Sequence, residues 1–454
     1  MKLTFIGATN TVTGSKYLLE IEQKKILIDC GLFQGLKELR LRNWAELPFN
    51  PKTLDAVVLT HAHIDHSGYL PLLVKHGFTG PIYATPGTVD LCQILLLDSG
   101  HLQEEDARRA NVYGYSKHQP ALPLYTKHDA EIALKQFQAV DFDTWLPLQG
   151  VCDVRWRHAG HIIGAASIEI KHNESSFLFS GDLGRLHDSI MKSPAQVEGA
   201  DYVVVESTYG NRLHDKTDPL QLIAKVVNET VSRGGTVLIP AFAVGRSQMM
   251  LYFLYQLRQK NLIPPVPVYL DSPMAIDATA LLLKYRDEHQ LTEDQCRLVC
   301  SLATYTQTPE QSMAIDNDKS PKIIISASGM MTGGRVLHHL KHLVTDAKNT
   351  ILMTGFQAEG TRGARLLNQE PEIKIHGETF EVKAQVASIT NASAHADYED
   401  ILTWLGQFTK KPKKVFITHG EKTAAMALQQ HIQAKLGWSC VVPDYKEVFN
   451  ETSR

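Results

Sequence analysis

The sequence contains no Cys-x-x-Cys pair, and its six cysteines (Cys30, Cys92, Cys152, Cys296, Cys300 and Cys440) are scattered along 454 residues. A chain of that length buries enough apolar surface to need no disulfide staples, so free thiols in a reducing compartment are expected. Long apolar runs are missing as well. The longest, Met249 to Tyr255, falls far short of the roughly 18 residues of a membrane span. The opening Met1-Lys2-Leu3-Thr4-Phe5-Ile6-Gly7 turns polar before a signal-peptide core could develop, so a cytoplasmic location with no membrane attachment is expected. Neither sign of charge dominates: the net charge of −3 gives no global attraction to a polyanion and leaves such a partner to local patches or to metal. No repeat and no low-complexity linker divides the chain. What is abundant is histidine, at 20 residues, and its placement carries the functional reading.

The length argues for two or three domains at roughly 150 residues each. Short strands joined by tight turns are expected at Leu3 to Ile6, Ser15 to Ile21, Lys25 to Ile28, Ala56 to Thr60 and Pro81 to Ala84, followed by a helix from about Gly87 to Arg109. Further strands are expected at Val154 to His158, Ser167 to Lys171, Phe177 to Ser180 and Tyr202 to Val205, most of them ending in a polar or charged residue. From Thr208 the pattern alternates strand with helix, which argues for a parallel sheet flanked by helices in a second domain. The segment from Glu381 onward, with a strand at Lys414 to Ile417 and helices at Asp397 to Phe408 and Lys422 to Leu436, is expected to return to the first domain.

Strand Asp55 to Thr60 runs straight into His61-Ala62-His63-Ile64-Asp65-His66-Ser67-Gly68, three imidazoles and a carboxylate within six residues. Imidazole nitrogen and carboxylate oxygen form the ligand set of catalytic zinc. One cluster supplies too few ligands for two metals, and further ligand types stand at other strand ends. These are His161 in Gly160-His161-Ile162-Ile163-Gly164 and Asp182 in Ser180-Gly181-Asp182-Leu183-Gly184, where glycines let the backbone turn sharply beside an ion. Alone, His161 reads as a core histidine and Asp182 as a turn former; beside the first cluster both read as ligands. Asp29, closing the apolar Ile26-Leu27-Ile28, reads either as the partner that orients a ligand histidine or as a turn aspartate.

Together, His61-x-His63-x-Asp65-His66, His161, Asp182 and Asp29 resemble the sequence signature of the metallo-β-lactamase superfamily over residues 1 to about 207. The middle of the chain resembles the β-CASP insertion of that superfamily's nucleic-acid-processing members. Glu206 in Val205-Glu206-Ser207-Thr208-Tyr209-Gly210 is similar to motif A, His395 in Ser393-Ala394-His395-Ala396-Asp397 to motif B, and His419 in Ile417-Thr418-His419-Gly420-Glu421 to motif C. Pro240-Ala241-Phe242-Ala243-Val244-Gly245-Arg246 and Ser326-Ala327-Ser328-Gly329-Met330 are similar to blocks of the branch containing the pre-mRNA 3′-end endonuclease and its bacterial and archaeal relatives. The resemblance implies an α/β fold, an αββα metallo-β-lactamase sandwich from residues 1–207 and 385–454 with an α/β β-CASP domain over 208–384 inserted. It implies two zinc ions, one held by His61, His63 and His161, the other by Asp65, His66 and His419, with Asp182 bridging them. Asp65, Asp182, Glu206 and His395 form the implied catalytic set. Every ligand position of the pattern is filled, whereas scaffolding members of the family have typically lost several. Manganese or iron suits the same ligands.

Two such ions can hold a bridging hydroxide near neutral pH and stabilise a phosphodiester during in-line attack, which makes the implied reaction phosphodiester hydrolysis. By the resemblance, His395 is the general acid for the departing sugar oxygen and Glu206 orients it. Histidine at motif C goes with RNA-processing members, so single-stranded RNA is the expected partner and DNA the less expected one; a homodimer is compatible with the sequence. Arg246, Arg335 and Arg362, each beside glycine at a helix start, are expected with Ser328 to contact phosphate. Lys410-Lys411-Pro412-Lys413-Lys414 reads first as a solvated turn. A small ester or thioester hydrolase of the same superfamily would lack motifs A to C. A flavodiiron-type protein would carry a glutamate in the first cluster, where Ala62 and Ile64 stand. A non-catalytic RNA-binding subunit is the third alternative, disfavoured by the filled ligand set. No appended RNA-binding module is expected at either end.

Overall fold

Along Tyr202–Val205 the side chains alternate between two cores, Tyr202 and Val204 facing one apolar cluster and Val203 and Val205 another. A strand buried on both faces belongs inside a layered α/β structure. The computed structural model describes residues 1–114, 116–355, 357–389 and 392–451 and divides the chain into two compact units, Met1–Leu213 with His395–Arg454, and His214–Ala394. Among the described residues no helix is long and apolar enough to cross a membrane.

The first unit is built on two seven-stranded sheets. One runs Val448–Asn450, Lys2–Phe5, Tyr17–Ile21, Lys24–Ile28, Ala56–Val58, Ile82–Ala84, Phe137–Ala139. The other runs Cys440–Val441, Lys414–Ile417, Tyr202–Val205, Ser175–Phe179, Ala166–His172, Cys152–His158, Leu146–Leu148. Leu3, Phe5, Ile26 and Ile28 of the first share a core with Trp156, Ile168, Phe177 and Phe416 of the second. Helices Tyr398–Gly406 and Lys422–Leu436 cover the other face of the second sheet, setting Ile401, Trp404, Leu428 and Ile432 among Val203, Val205, Val415 and Ile417. The long helix Pro86–Tyr113 starts where Thr85 caps Thr88 N and proline takes the first turn, and it extends beyond the span that periodicity predicts.

Parallel pairing decides where the chemistry goes. Tyr202–Val205 lies parallel to both Ser175–Phe179 and Lys414–Ile417, with Val205 opposite Ile417, and Lys24–Ile28 lies parallel to Ala56–Val58. Residues that follow parallel neighbours leave a sheet at the same edge. Asp29 therefore emerges beside Thr60, with the Thr60 amide donating to its carboxylate, and Ser180, Glu206 and Thr418 emerge together.

The second unit carries the expected strand-helix alternation as a six-stranded, all-parallel sheet ordered Thr304–Tyr305, Val268–Asp271, Lys322–Ser326, Thr236–Pro240, Thr350–Thr354, Gln385–Ile389. Here the structure corrects the expected boundary at 385. Gln385–Ile389 pairs in parallel with Thr350–Thr354 and finishes this sheet, so the chain returns to the first unit only at His395. The first crossing likewise falls at Leu213 rather than 207.

A buried charge network ties this unit together. Asp271, fully buried, lies 2.6 Å from both Arg335 Nη1 and His339 Nε2 and accepts from Ser312 Oγ. His339 Nδ1 is 2.6 Å from Asp316, which also faces His342 at 3.7 Å. Burial alone would lower the His339 imidazole, but hydrogen bonds to Asp271 and Asp316 raise it to about 9. An unfolded histidine titrates near 6.5, so this proton stabilises the fold fully below that pH and its contribution is lost as pH rises through the folded value. The shift is on the order of 3 kcal/mol. The stability gap between wild type and His339→Asn, measured by denaturant unfolding, is expected to be wide at pH 6 and to shrink toward pH 10. A gap that does not change with pH would contradict a protonated His339.

Candidate active site

The loop after Ala56–Val58 is shaped from below by Asp29, whose backbone takes a left-handed φ of +57°. Its carboxylate accepts from Thr60 N at 2.8 Å and from Thr60 Oγ1 at 3.0 Å, and its other oxygen meets His66 Nδ1 at 2.7 Å. Asp29 thus combines a turn conformation with a direct contact to His66. A carboxylate can only accept, so His66 Nδ1 carries a hydrogen, and Nε2 is the ring atom left for a cation. The single proton of Thr60 Oγ1 goes to Asp29; the oxygen, 3.0 Å from His61 Nδ1, can then only accept from it, and His61 Nε2 is presented the same way. Gly31 is required behind this loop, because a Cβ there would stand 1.6 Å from Asp65 O.

Three nitrogens converge above the strand ends: His61 Nε2 and His161 Nε2 lie 3.1 and 3.2 Å from His63 Nδ1. A second group forms beside them, with His66 Nε2 at 3.1 Å and Asp65 Oδ2 at 3.4 Å from His419 Nε2. Asp182 joins the two. Its Oδ2 is 3.4 Å from His61 Nε2 and 3.7 Å from His161 Nε2, while Oδ1 is 3.3 Å from His66 Nε2. Ligand-type atoms of His61, His63, His161 and Asp182, and those of Asp65, His66 and His419, each lie within 4.8 Å of one another.

Electrostatics fit these groups to cations. Burial and the neighbouring His66 push the His61 imidazole down to about 3, and burial likewise pushes His63 down to about 4. His63 Nδ1 has at most one hydrogen to give, so it cannot donate to both His61 Nε2 and His161 Nε2, and a cation between the three nitrogens would satisfy all of them. Burial alone would raise Asp182, but His419, His66 and His61 hold it well below the usual carboxylate range. Burial would lower His66, yet Asp182 and Asp29 raise it well above its ordinary value, a proton that a bound cation would displace. The donor set thus suits hard-to-borderline divalent metal.

Next to this centre stands His395, whose Nδ1 is 3.3 Å from both oxygens of Glu206 and 4.0 Å from Asp182 Oδ2. Glu206 is itself fixed, accepting from Leu183 N at 2.6 Å and from Thr208 N at 3.3 Å. The side chain of His395 is 18% exposed, whereas those of His61, His66, His161 and His419 are 4% or less, so His395 reaches from the buried centre toward solvent. Burial lowers its imidazole, but Glu206 and Asp182 more than offset that and raise it.

The expected phosphate contacts fare differently. Arg335 donates to Asp271, Thr306 O and Gln307 O, and Arg362 donates to Lys374 O and Met331 O, so both guanidinium groups tie loops within the second unit rather than extend into solvent. Each sits where it finds carboxylate or carbonyl oxygens in fixed geometry, which a flexible phosphate partner would have to displace. Arg246 is buried, and Gly355 approaches it so closely that a Cβ there would stand 3.1 Å from Nη2. Ser328 Oγ lies 3.1 Å from Thr332 Oγ1 on a half-buried loop. The lysine run is more than a solvated turn: Lys410 and Lys413 meet Asp201 at 2.8 and 3.2 Å, and Lys411 donates to Gly437 O. The sequence assigns no role to the hydroxyls of Thr60, Ser207 and Thr208 that hold the ligand-type loops, although Ser207 and Thr208 stand inside the block similar to motif A; short hydroxyl side chains are too common for their spacing to signal a role.

Comparison with known proteins bears on this arrangement. Residues 10–220 match the model of the metallo-beta-lactamase superfamily, 247–366 that of the Beta-Casp domain, and 379–443 that of the Zn-dependent metallo-hydrolase RNA specificity domain. Ribonuclease TTHA0252 of Thermus thermophilus is 35% identical over 436 residues, covering 94% of this chain and 95% of that protein. The chain belongs to the β-CASP nuclease branch of the metallo-β-lactamase superfamily. The β-CASP fold class expected from sequence accordingly holds, a metallo-β-lactamase domain with a Beta-Casp domain inserted. Other β-CASP relatives are transcription termination factor FttA of Methanosarcina mazei, 31% identical over 96% of this chain and 69% of that protein, and an RNase J-like protein of Methanocaldococcus jannaschii, 28% identical over 97% of each. A crystal structure of a protein of unknown function from Enterococcus faecalis shares the fold, with a TM-score of 0.54 at 14% identity over 99% of both chains.

Proposed function

We propose that this protein is a ribonuclease that hydrolyses phosphodiester bonds of single-stranded RNA with two divalent cations, zinc in the first instance. The observation that carries the reading is the pair of ligand groups sharing Asp182, with the His395–Glu206 pair set beside them on the solvent side. His61, His63 and His161 would hold one cation, Asp65, His66 and His419 the other, and Asp182 would give one oxygen to each. When bound, such a pair supplies a nucleophile from water near neutral pH and neutralises charge on the phosphate. Glu206, held by two backbone amides, accepts from His395 Nδ1 and leaves Nε2 to carry the proton given to the departing sugar oxygen. RNA is preferred to DNA on histidine at motif C, and the names of two relatives, a ribonuclease and an RNase J-like protein, point the same way.

The test is cleavage of end-labelled single-stranded RNA and of matched DNA by protein whose metal content has been measured. RNA is expected to be cut at least about tenfold faster than DNA, with activity abolished by chelation and restored by zinc. Equal cleavage of both polymers would overturn the preference for RNA, and turnover of small esters with no cleavage of either would overturn the nuclease.

A further inference from the structure

His419 occupies a backbone conformation, φ +49°, that residues other than glycine rarely adopt. Such a residue keeps its place only where its surroundings over-determine it. Its amide donates to Ala8 O at 2.7 Å, and its carbonyl accepts from Ser207 N at 3.1 Å and Thr208 Oγ1 at 3.3 Å. The preceding Thr418 is pinned as well, its carbonyl accepting from Ser207 Oγ at 2.8 Å and its hydroxyl lying 2.8 Å from Tyr17 Oη across the sandwich. After it, Gly420 passes so close to Ser207 that a Cβ would stand 2.2 Å from Oγ.

Thr208 does one thing more than hold this backbone: its Oγ1 also lies 3.2 Å from His419 Nδ1. A hydroxyl has a single proton. The carbonyl oxygen of His419 can only accept, and Nδ1 also faces the acceptor Asp182 Oδ1 at 3.3 Å, so the arrangement that suits every contact directs the hydroxyl proton to the carbonyl and lets the hydroxyl oxygen meet Nδ1 as an acceptor. Nδ1 must then bear the ring hydrogen. The ring's lone pair is consequently on Nε2, aimed at the place shared by His66 Nε2 and Asp65 Oδ2. Thr60 treats His61 in the same manner at the other group, handing its proton to Asp29 and facing Nδ1 with its oxygen. Both Thr208 and His419 are buried, so water has no ready way to replace a missing hydroxyl.

We propose that Thr208 is a positioning residue that fixes the tautomer and direction of the His419 ring and thereby the affinity of the second cation position. The inference rests on the ligand role given to His419 above. It assigns a function to a hydroxyl that touches neither the reacting atoms nor the cation.

The experiment compares wild type, Thr208→Val, which keeps the shape and removes the hydroxyl, and Thr208→Ser, which keeps the hydroxyl. Metal-free protein is titrated with zinc against a chromophoric chelator, giving zinc per chain and the affinity of each position. In Thr208→Val one of the two positions is expected to lose about 10- to 100-fold in affinity while the other changes little, and Thr208→Ser is expected to stay within about threefold of wild type. A readout independent of whether the variants fold is the ring-nitrogen spectrum of histidine-labelled, metal-free wild type, in which His419 is expected to be protonated at Nδ1 and not at Nε2. Thr208→Val binding both cations like wild type, Thr208→Ser as impaired as Thr208→Val, or a His419 ring protonated at Nε2 would each overturn the proposal. Wild type that takes up two cations yet leaves RNA intact overturns the substrate reading alone; wild type that takes up fewer than two overturns both.

Discussion

Asp182→Ala is expected to reduce RNA cleavage at least about a thousandfold, equivalent to about 4 kcal/mol of transition-state stabilisation, and to lower the metal content per chain. The size of the effect follows from the position of the carboxylate. Each oxygen faces a different proposed ligand group, Oδ2 toward His61 at 3.4 Å and Oδ1 toward His66 at 3.3 Å, and His419 stands at 3.3 Å from Oδ1. The imidazoles that surround it hold its carboxyl ionised, so it contributes a full negative charge where two cations would otherwise repel. Asp182→Asn, which preserves the shape and removes the charge, is expected to lose nearly as much activity, and this separates charge from packing. Circular dichroism and metal analysis on both variants accompany the rate measurement. A variant that keeps two metals per chain and cuts RNA within about tenfold of wild type would remove Asp182 from its proposed place.

The second large effect is at His395, and its character differs. His395→Ala leaves every proposed ligand in place, so metal content is expected to stay at the wild-type level while kcat falls by about 10²- to 10³-fold. The discriminating measurement uses RNA in which the departing sugar oxygen is replaced by sulfur. A thiolate leaves without a proton, because thiols ionise near pH 8.5 whereas a sugar hydroxyl does not ionise in that range. On that substrate the deficit of His395→Ala is expected to shrink to about tenfold or less. An equal deficit on both substrates would mean that His395 positions RNA and donates no proton. Glu206→Gln is expected to fall between wild type and His395→Ala, since the amide still reaches Nδ1 but no longer stabilises the charged ring.

The sequence makes the metal-type residues legible because the densest cluster is local. His61, His63, Asp65 and His66 lie within six residues, directly after a strand, so a linear motif captures their proximity. His161, Asp182 and His419 are legible only through the pattern they form with that cluster. The continuous apolar runs of Tyr202–Val205 and Lys414–Ile417, buried on both faces, and the strand-helix alternation of the second unit are readable for the same reason, since both are patterns among neighbours in the chain. The helices Glu293–Ser301 and Pro309–Asn317 are not among the elements expected from sequence; the capping boxes of Thr292 with Gln295 and Thr308 with Gln311 are a local signal that marks them.

Other features were decided in three dimensions. His66, in the loop after Ala56–Val58 of one sheet, and His419, after Lys414–Ile417 of the other, are 353 residues apart yet come within 3.1 Å, an approach written at neither position. Gln385–Ile389 joins the second unit because Thr350–Thr354 offers it an open edge there, a fact invisible in its own composition. Arg335 looks like a phosphate ligand until Asp271, 64 residues away, is seen to hold it. The sequence by itself determined which chemical groups this protein possesses, the chain-local periodicities of its layers and the ligand types of its centre. Only the tertiary structure decided which lone pair each imidazole turns inward, which arginines are committed inside the fold and where the second unit ends. Those outcomes depend on directed contacts between distant residues, and such contacts exist only once the backbone has closed around them.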